Sequence, residues 1–504
     1  MHLLSFLRSS LTQQIGGAAL AAVVLASGLM LGCDSRYQEV NTNPNEPEQV
    51  QPNLLLPNII RSSVNTSVNA AHTTGNLVLQ YAAKVSFATD IDRYDWAGVG
   101  YWDPLYEDLR NVQTMIRIAQ ERNNPNYEGV GLIMKSWIFS MLTNAYGTVP
   151  YTEAVNVLEG GENTPAYTPQ EAIYKGLLRD LEKANSLIEP GSGTFGGDIL
   201  YGGDLTRWRK LANSLRLRLL MRLSEKQGAI DGVNVSQQFA TIVENPGQYP
   251  VFEGNDDNAA LEYLSSRPNE WPPHTSRIGS FRTYRASKTL TDTLLAYDDP
   301  RLQVFADTTS AANDNQSAEY VGVPNGLTDD ASNEFNGGRD HQSSLNTTRY
   351  FEQPDAAKGL IMTYAEVKFL KAEAAVRGWI SGNAQTFYEE GITASMEQYG
   401  QSVPSGYFGQ SGVAFPANDA EAAIDRINRQ KWIALFYTGM EGWFNWRRTG
   451  VPDIEPSRSN VNGDRIPIRF RYPASEQSLN AESYQKAVDR QGPDNINTEM
   501  WLLQ

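Results

Sequence analysis

Two stretches of the chain combine rings, charges and hydrogen-bonding groups of the kind that sugar binding needs. Residues 87–96, FATDIDRYDW, carry Phe87, Tyr94 and Trp96 among Asp90, Asp92 and Arg93. Residues 269–284, NEWPPHTSRIGSFRTY, set Trp271 before two prolines, near His274, Arg277 and Arg282. A flat ring stacks on the C–H face of a sugar, and polar groups at the rim exchange hydrogen bonds with its hydroxyls. Proline stiffens the turn that carries Trp271, which lowers the entropy lost on binding. The candidate ligand set is therefore Phe87, Asp90, Tyr94, Trp96, Trp271, Arg277 and Arg282. The alternative is that these rings pack their loops onto the body of the protein.

Covalent and hydrolytic chemistry finds no comparable support. The chain has no G-x-S-x-G, no His-Glu-x-x-His and no Walker loop. A glycosidase needs two carboxylates at a set separation. With 58 acidic residues, closeness in sequence says nothing about that. The four histidines, His2, His72, His274 and His341, are too scattered to suggest zinc. Asn255-Asp256-Asp257-Asn258 and Asn313-Asp314-Asn315 offer oxygens to calcium, but the EF-hand spacing is absent and they read as turns. The expectation is no catalytic residue, no metal and no cofactor.

A different chemistry belongs to Cys33, the only cysteine in 504 residues. It follows an uncharged run of apolar and small residues over 15–31, and Met30-Leu31-Gly32-Cys33 closes that run. This is the form of a secretory leader that ends at a small residue and a thiol. It resembles a bacterial lipoprotein signal, in which the chain is cut before a lipidated cysteine. Residues 1–32 are then a signal peptide and the chain hangs from a membrane by acyl chains on Cys33, since stable anchoring needs more than one chain. A transmembrane anchor and a buried free thiol are the alternatives. The run is marginal in length for a membrane span and rich in Gly, Ala and Ser. The net charge of −16, with no basic stripe, argues against nucleic acid as a partner.

The elements that must position these residues are mostly helical. Residues 33–52 read as a polar tether. Helical periodicity pairs 53–71 with 75–87, and 104–122 with 127–146. Thr168-Pro169-Gln170-Glu171 marks a helix start, and that helix runs to about residue 188. Its partner spans 205–225, where Trp208, Leu211, Leu215 and Leu219 recur on one face. From about 246 to 359 the pattern breaks into a loop-rich insertion with one helix, at 287–297. Helices return from 363, with a partner at 383–399 and another at 419–438. After Gly450 the chain reads as irregular. The helix pairs, over about 53–227 and 363–447, suggest tetratricopeptide-like repeats.

The C-terminal blocks carry a family resemblance. Residues 429–452 read RQKWIALFYTGMEGWFNWRRTGVP and residues 465–480 read RIPIRFRYPASEQSLN. Upstream stand MTYAEVKFLKAEAAVR at 362–377, DPRL at 299–302 and NTNPNEP at 41–47. Together with the leader, these resemble the SusD/RagB-like outer-membrane lipoproteins of Bacteroidetes, in the branch that ends in an IP-R-YP-E-N pattern. The resemblance implies a mainly α protein, with tetratricopeptide-like helix pairs in a right-handed superhelical scaffold and a loop-rich ligand face. It implies a lipid-anchored, non-catalytic protein facing the cell exterior. Such a protein captures a nutrient oligomer, an oligosaccharide or in some members a peptide, and hands it to a SusC-like TonB-dependent transporter. Trp443, Trp446, Arg447 and Arg448 are expected to knit the C-terminal segment onto the helices, with Glu441 pairing Arg447 or Arg448. Glu366 and Glu373 are expected on a solvated or salt-bridged face. A helical scaffold without a small ligand and a surface hydrolase are the competing readings.

Overall fold

The computed structural model describes residues 51–86, 90–155, 163–193, 195–310 and 319–504. The leader, Cys33, the tether as far as residue 50, Phe87 and Asn313-Asp314-Asn315 lie outside the described residues. Residues 51–504 form one compact unit.

Helix α1 (Pro52–Ala70) starts with proline in its first turn, where no N–H is needed. It continues through a π-helical turn, Ala71–Gly75, and a single short turn, Asn76–Val78. The helix expected over 75–87 is therefore absent. Strand β1 (Ala82–Lys84) stands there instead, and its antiparallel partner lies two hundred residues on. Tertiary pairing overrides the local helical pattern of this alanine-containing stretch.

The next helices follow their sequence signals closely. Helix α2 (Trp102–Glu121) packs on α3 (Pro125–Tyr146), whose first turn is capped by the Asn124 side chain. Strands β2 (Val149–Pro150) and β3 (Tyr167–Thr168) pair before α4 (Gln170–Leu187). The Thr168 hydroxyl accepts from the Thr152 N–H rather than capping α4. Helix α5 (Leu205–Arg222) packs on α4 and is capped by Asp204. Its Trp208, Leu211, Leu215 and Leu219 are buried, as their spacing requires.

A further helix, α6 (Val235–Glu244), buries Val235, Phe239 and Ile242 behind an Asn234 cap. The insertion then supplies β4 (Ala259–Glu262), β5 (Tyr284–Ala286) and α7 (Lys288–Ala296), and β6 (Lys358–Met362) closes it. Strand β5 pairs with β1, and β6 with β4, all antiparallel.

Helices α8 (Tyr364–Val376), α9 (Ala384–Glu397) and α10 (Ala420–Ala434) are capped in turn by Thr363, Asn383 and Asp419. Each such cap contributes about 1 kcal/mol. Gly391 lets α9 approach α8, since a Cβ there would lie 2.8 Å from the Phe369 ring. Helix α11 (Glu441–Thr449) follows, and the C-terminal segment holds α12 (Ala481–Gln491) where irregular chain was expected. The protein is thus mainly helical, with short strands confined to the connections.

One apolar core runs through both helical halves and the insertion. Set into it is a chain of buried ion pairs. Arg218 on α5 grips Glu366 on α8 through Nε and Nη2, at 2.8 and 2.6 Å. Arg222 pairs with Glu441 on α11. Glu373 on α8 takes Arg448 of α11, and Arg377 at 3.0 Å. Glu366 and Glu373 are therefore salt-bridged, one of the two arrangements expected, and they are interior, not solvated. Glu441 pairs with Arg222 instead of its helix neighbours. Arg447 donates to the carbonyls of Ile468 and Asn144, both at 2.6 Å, and so stitches the C-terminal segment to α3.

Burial alone would raise the Glu373 carboxyl, but Arg448 and Arg377 outweigh it and hold the group at about 2. Its contribution is present above the ordinary carboxylate range and lost as the pH falls from there toward 2. Removing one partner of a buried pair leaves the other charge without its counterion, which costs about 3–5 kcal/mol. Glu366→Ala is expected to lower the unfolding free energy by about that amount in urea melts at pH 7. An unchanged midpoint would mean that the pair does not hold the two helical halves together.

Candidate functional site

The β1–β5 pairing brings the two loop segments singled out in the sequence to one place. Ala82, Ala83 and Lys84 face Ala286, Arg285 and Tyr284 in register. Beyond the pair the Val85 N–H donates to the Thr283 carbonyl, and Lys84 Nζ reaches Thr283 Oγ1 at 2.9 Å. That ammonium sits 3.6 Å from the centre of the Tyr284 ring, a cation–π contact.

Asp92 fastens the first segment from beneath. Its carboxylate accepts from the Lys84 N–H at 3.0 Å, Asn325 Nδ2 at 2.7 Å and the Gly326 N–H at 3.0 Å. Burial lifts it to about 6 against those bonds. His72 supports the second segment. It stacks on Tyr284 with ring centres 4.1 Å apart, and its Nδ1 lies 2.9 Å from the Tyr437 hydroxyl. Burial, with Lys84 nearby, lowers it to about 3, so it stays neutral.

Three of the expected ligand rings prove to be core, which is a correction. Trp96 is 3% exposed and meets Trp443 and Phe470 edge-on, at 5.7 and 5.3 Å. Tyr94 is buried, with its hydroxyl accepting from the Ser457 N–H. Trp271 is 0% exposed, its Nε1 donating to the Tyr350 carbonyl at 3.2 Å and its ring wedged against Tyr263 and Tyr437. None leaves a face for a sugar. The Pro272–Arg277 turn is a real 3-10 turn, but it aims the indole inward. Asp90 is exposed at the start of the first loop, Arg277 is half-buried and donates to the His274 carbonyl, and Arg282 is exposed.

Arg282 lines a cleft of about 730 Å³ on this face. Two half-exposed rings stand in its wall, Phe281 and Tyr320. Phe281 rests on Phe351 at 5.4 Å, and the Arg282 guanidinium lies 5.8 Å from its ring centre. Arg285 and Arg339 add two more guanidinium groups, and Gln303, Asp307 and Asp340 add amide and carboxylate oxygens. Arg339 bonds Ser86 and Asn333, which ties the far side of the cleft to the loop after β1. This is the set a sugar site calls for: flat faces with polar groups around them.

A second cavity, of about 610 Å³, lies above Trp271, between the start of α5, β4 and the end of α9. Of its rings, Tyr201, Trp271, Tyr350 and Tyr437 are buried and Tyr399 is half-exposed. Lys358 on its rim is paired with Glu262, and Asp198 accepts three backbone N–H groups. The cleft beside β5 has two half-exposed rings against one. Among the described residues no group of three or more His, Cys, Asp or Glu is placed to hold a metal. Asp257, part of the acidic turn considered for calcium, is engaged by Lys210 at 2.9 Å.

Phe281 lay within the second segment but was not singled out, and Tyr320 and Arg339 were missed. Their stretch has no periodicity. What assembles them is the β1–β5 pair and the isolated bridges Ser287–Val323 and Ala306–Leu345, which no local pattern announces.

The fold is a mainly helical scaffold of tetratricopeptide-like helix pairs with a loop-rich stretch inserted between its two halves. The chain belongs to the SusD-like family described as starch-binding and associating with the outer membrane, whose model matches residues 44–473. A SusD homologue from Bacteroides fragilis is 30% identical, aligns over 90% of this chain and all of its own, and superposes with a TM-score of 0.78. A second from the same species is 27% identical over 90% and 100% of the two chains, with a TM-score of 0.78. A chitin-binding protein is 27% identical over 90% and 99%, with a TM-score of 0.76. No curated protein sequence matches. No helix among the described residues is long and apolar enough to cross a membrane.

A depressed histidine gives stability that is full above pH 6.5 and is lost as the pH falls from there toward 3. Asp92, lifted to about 6, acts in the opposite direction below that pH, so the histidine is read as a difference. The melting temperature of the wild type minus that of His72→Phe, which keeps the ring stack and cannot titrate, is expected to fall between pH 6.5 and 5. An identical slope in both proteins would remove His72 from the support of β5.

Proposed function

We propose that this protein captures a glycan oligomer at the cell surface and delivers it, without chemistry, to a SusC-like TonB-dependent transporter. The lipid on Cys33 holds it at the outer membrane, on the exterior side. The observation that carries the reading is the cleft beside β5, where Phe281 and Tyr320 present open rings among guanidinium, amide and carboxylate groups. Arg277 stands four residues before Phe281 on the stretch that leads into β5, and Asp90 lies on the loop that follows β1.

The family description supports a glycan, and the relative at 27% identity is a chitin-binding protein. Malto-oligosaccharides and chito-oligosaccharides therefore head the list of ligands. The non-catalytic reading is supported by the family, whose description is of binding. Capture by stacking is reversible, and release follows when the cleft and its ligand part.

The test is calorimetric titration of the full chain, purified in detergent, with maltohexaose, chitohexaose and other hexasaccharides. Saturable binding without turnover is expected. Phe281→Ala and Tyr320→Ala should each weaken it by about 0.5–1.5 kcal/mol, or roughly two- to tenfold. Hydrolysis of any glycan would overturn the non-catalytic reading. Binding unchanged in both variants would place the ligand elsewhere.

A further inference from the structure

The cleft wall is rich in guanidinium for so acidic a chain. Arg282, Arg285 and Arg339 all line it, in a protein of net charge −16. Among the described residues, none of the three has a carboxylate within salt-bridge reach. The two acids of the wall are engaged by other groups. Asp307 accepts from the Thr347 N–H at 2.8 Å and from Ser344 Oγ, and Asp340 from Ser310 Oγ.

Arg285 is the unusual member. It is 8% exposed, with Nη1 donating to the carbonyls of Arg282 and Tyr284, both at 3.0 Å. Its Nε has no partner. Burial, with Arg339 close by, outweighs the attraction of Asp340 and lowers its pKa to about 10. Elsewhere buried arginines are matched by carboxylates: Arg218 by Glu366, Arg301 by Asp299, Arg448 by Glu373, Arg469 by Asp494. Arg447 is another exception, but it lies 4.2 Å over the Trp443 ring, inside the core. Arg285 instead opens on a cleft. A buried cation without its counterion is destabilising, and a planar guanidinium matches an oxyanion in two-pronged fashion.

Resting on the glycan-capture reading, we infer that the ligand of this cleft is an acidic saccharide, whose carboxylate or sulfate ester is held by Arg285 and Arg339 while Phe281 stacks on a ring. Carboxylate and sulfate present the same oxyanion chemistry to a guanidinium. Phe281 beside Arg282 then places the apolar and ionic contacts on adjacent residues of one loop.

The experiment is titration of the full chain in detergent, at low and at raised salt, with four probes of six sugars. Two are neutral, maltohexaose and chitohexaose. Two are acidic, hexagalacturonate and a chondroitin sulfate hexasaccharide. At least one acidic probe is expected to bind about tenfold or more tighter than either neutral one, and to weaken as salt rises. Tight binding of hexagalacturonate shows that a carboxylate suffices, and binding of the chondroitin sulfate alone points to its sulfate esters. Arg339→Gln, at an exposed position, should remove most of that preference. Arg285→Gln should do the same, with its melting curve confirming a folded protein. Phe281→Ala should weaken neutral and acidic probes alike. Neutral probes that bind as well as acidic ones, unaffected by Arg339→Gln, would overturn the acidic ligand and leave glycan capture standing. No binding to any of the four would overturn both.

Discussion

The structure depends on a small set of buried ion pairs between helices far apart in sequence. Arg218 with Glu366, Arg222 with Glu441 and Arg448 with Glu373 join α5, α8 and α11. A helix pair buries its apolar stripe against its neighbours, and that contact is tolerant of sliding. A two-pronged guanidinium–carboxylate bond in a dry interior is not, because any shift leaves a charge without its partner. The pairs therefore fix which helices meet and in what register. They also close the N-terminal helices against the C-terminal ones, so that the insertion between them leaves and returns at fixed points.

From that frame the site follows in short steps. Strand β6 lines up with β4, and only Thr363 separates the end of β6 from the start of α8. Strand β5 pairs with β1, so a loop after α1 and a loop deep in the insertion share one ribbon. His72, Tyr284 and Tyr437 stack beneath it, and Asp92 ties β1 to Asn325 and Gly326. The cleft is thus carried by a two-stranded support whose own footing is buried. A surface assembled from loops can vary in residues without disturbing the helices below, which is how one fold serves different ligands.

The helices were legible because their signals are local. Asp204, Thr363, Asn383 and Asp419 sit where caps belong, and each does cap its helix. The family blocks were legible for the same reason, since they are contiguous. The helix expected over 75–87 failed because β1 is chosen by a partner two hundred residues away. The direction of an aromatic ring is no more local. Trp96 turns inward because Trp443 and Phe470 wait for it, and Trp271 because Tyr263 and Tyr437 enclose it. A ring among charges reads the same in sequence whether it faces water or core. Arg282 was legible as a rim charge, whereas Tyr320 and Arg339 belong to a stretch with no period and became neighbours only through folding.

Hydrogen–deuterium exchange of the full chain, with and without a saturating oligosaccharide, tests ligand binding in the cleft beside β5 without any substitution. Binding there slows exchange over residues 281–286 and 339–347 and leaves the helices of the scaffold unchanged. Protection confined to residues 198–207, 255–262 and 397–399, around the second cavity, would contradict it.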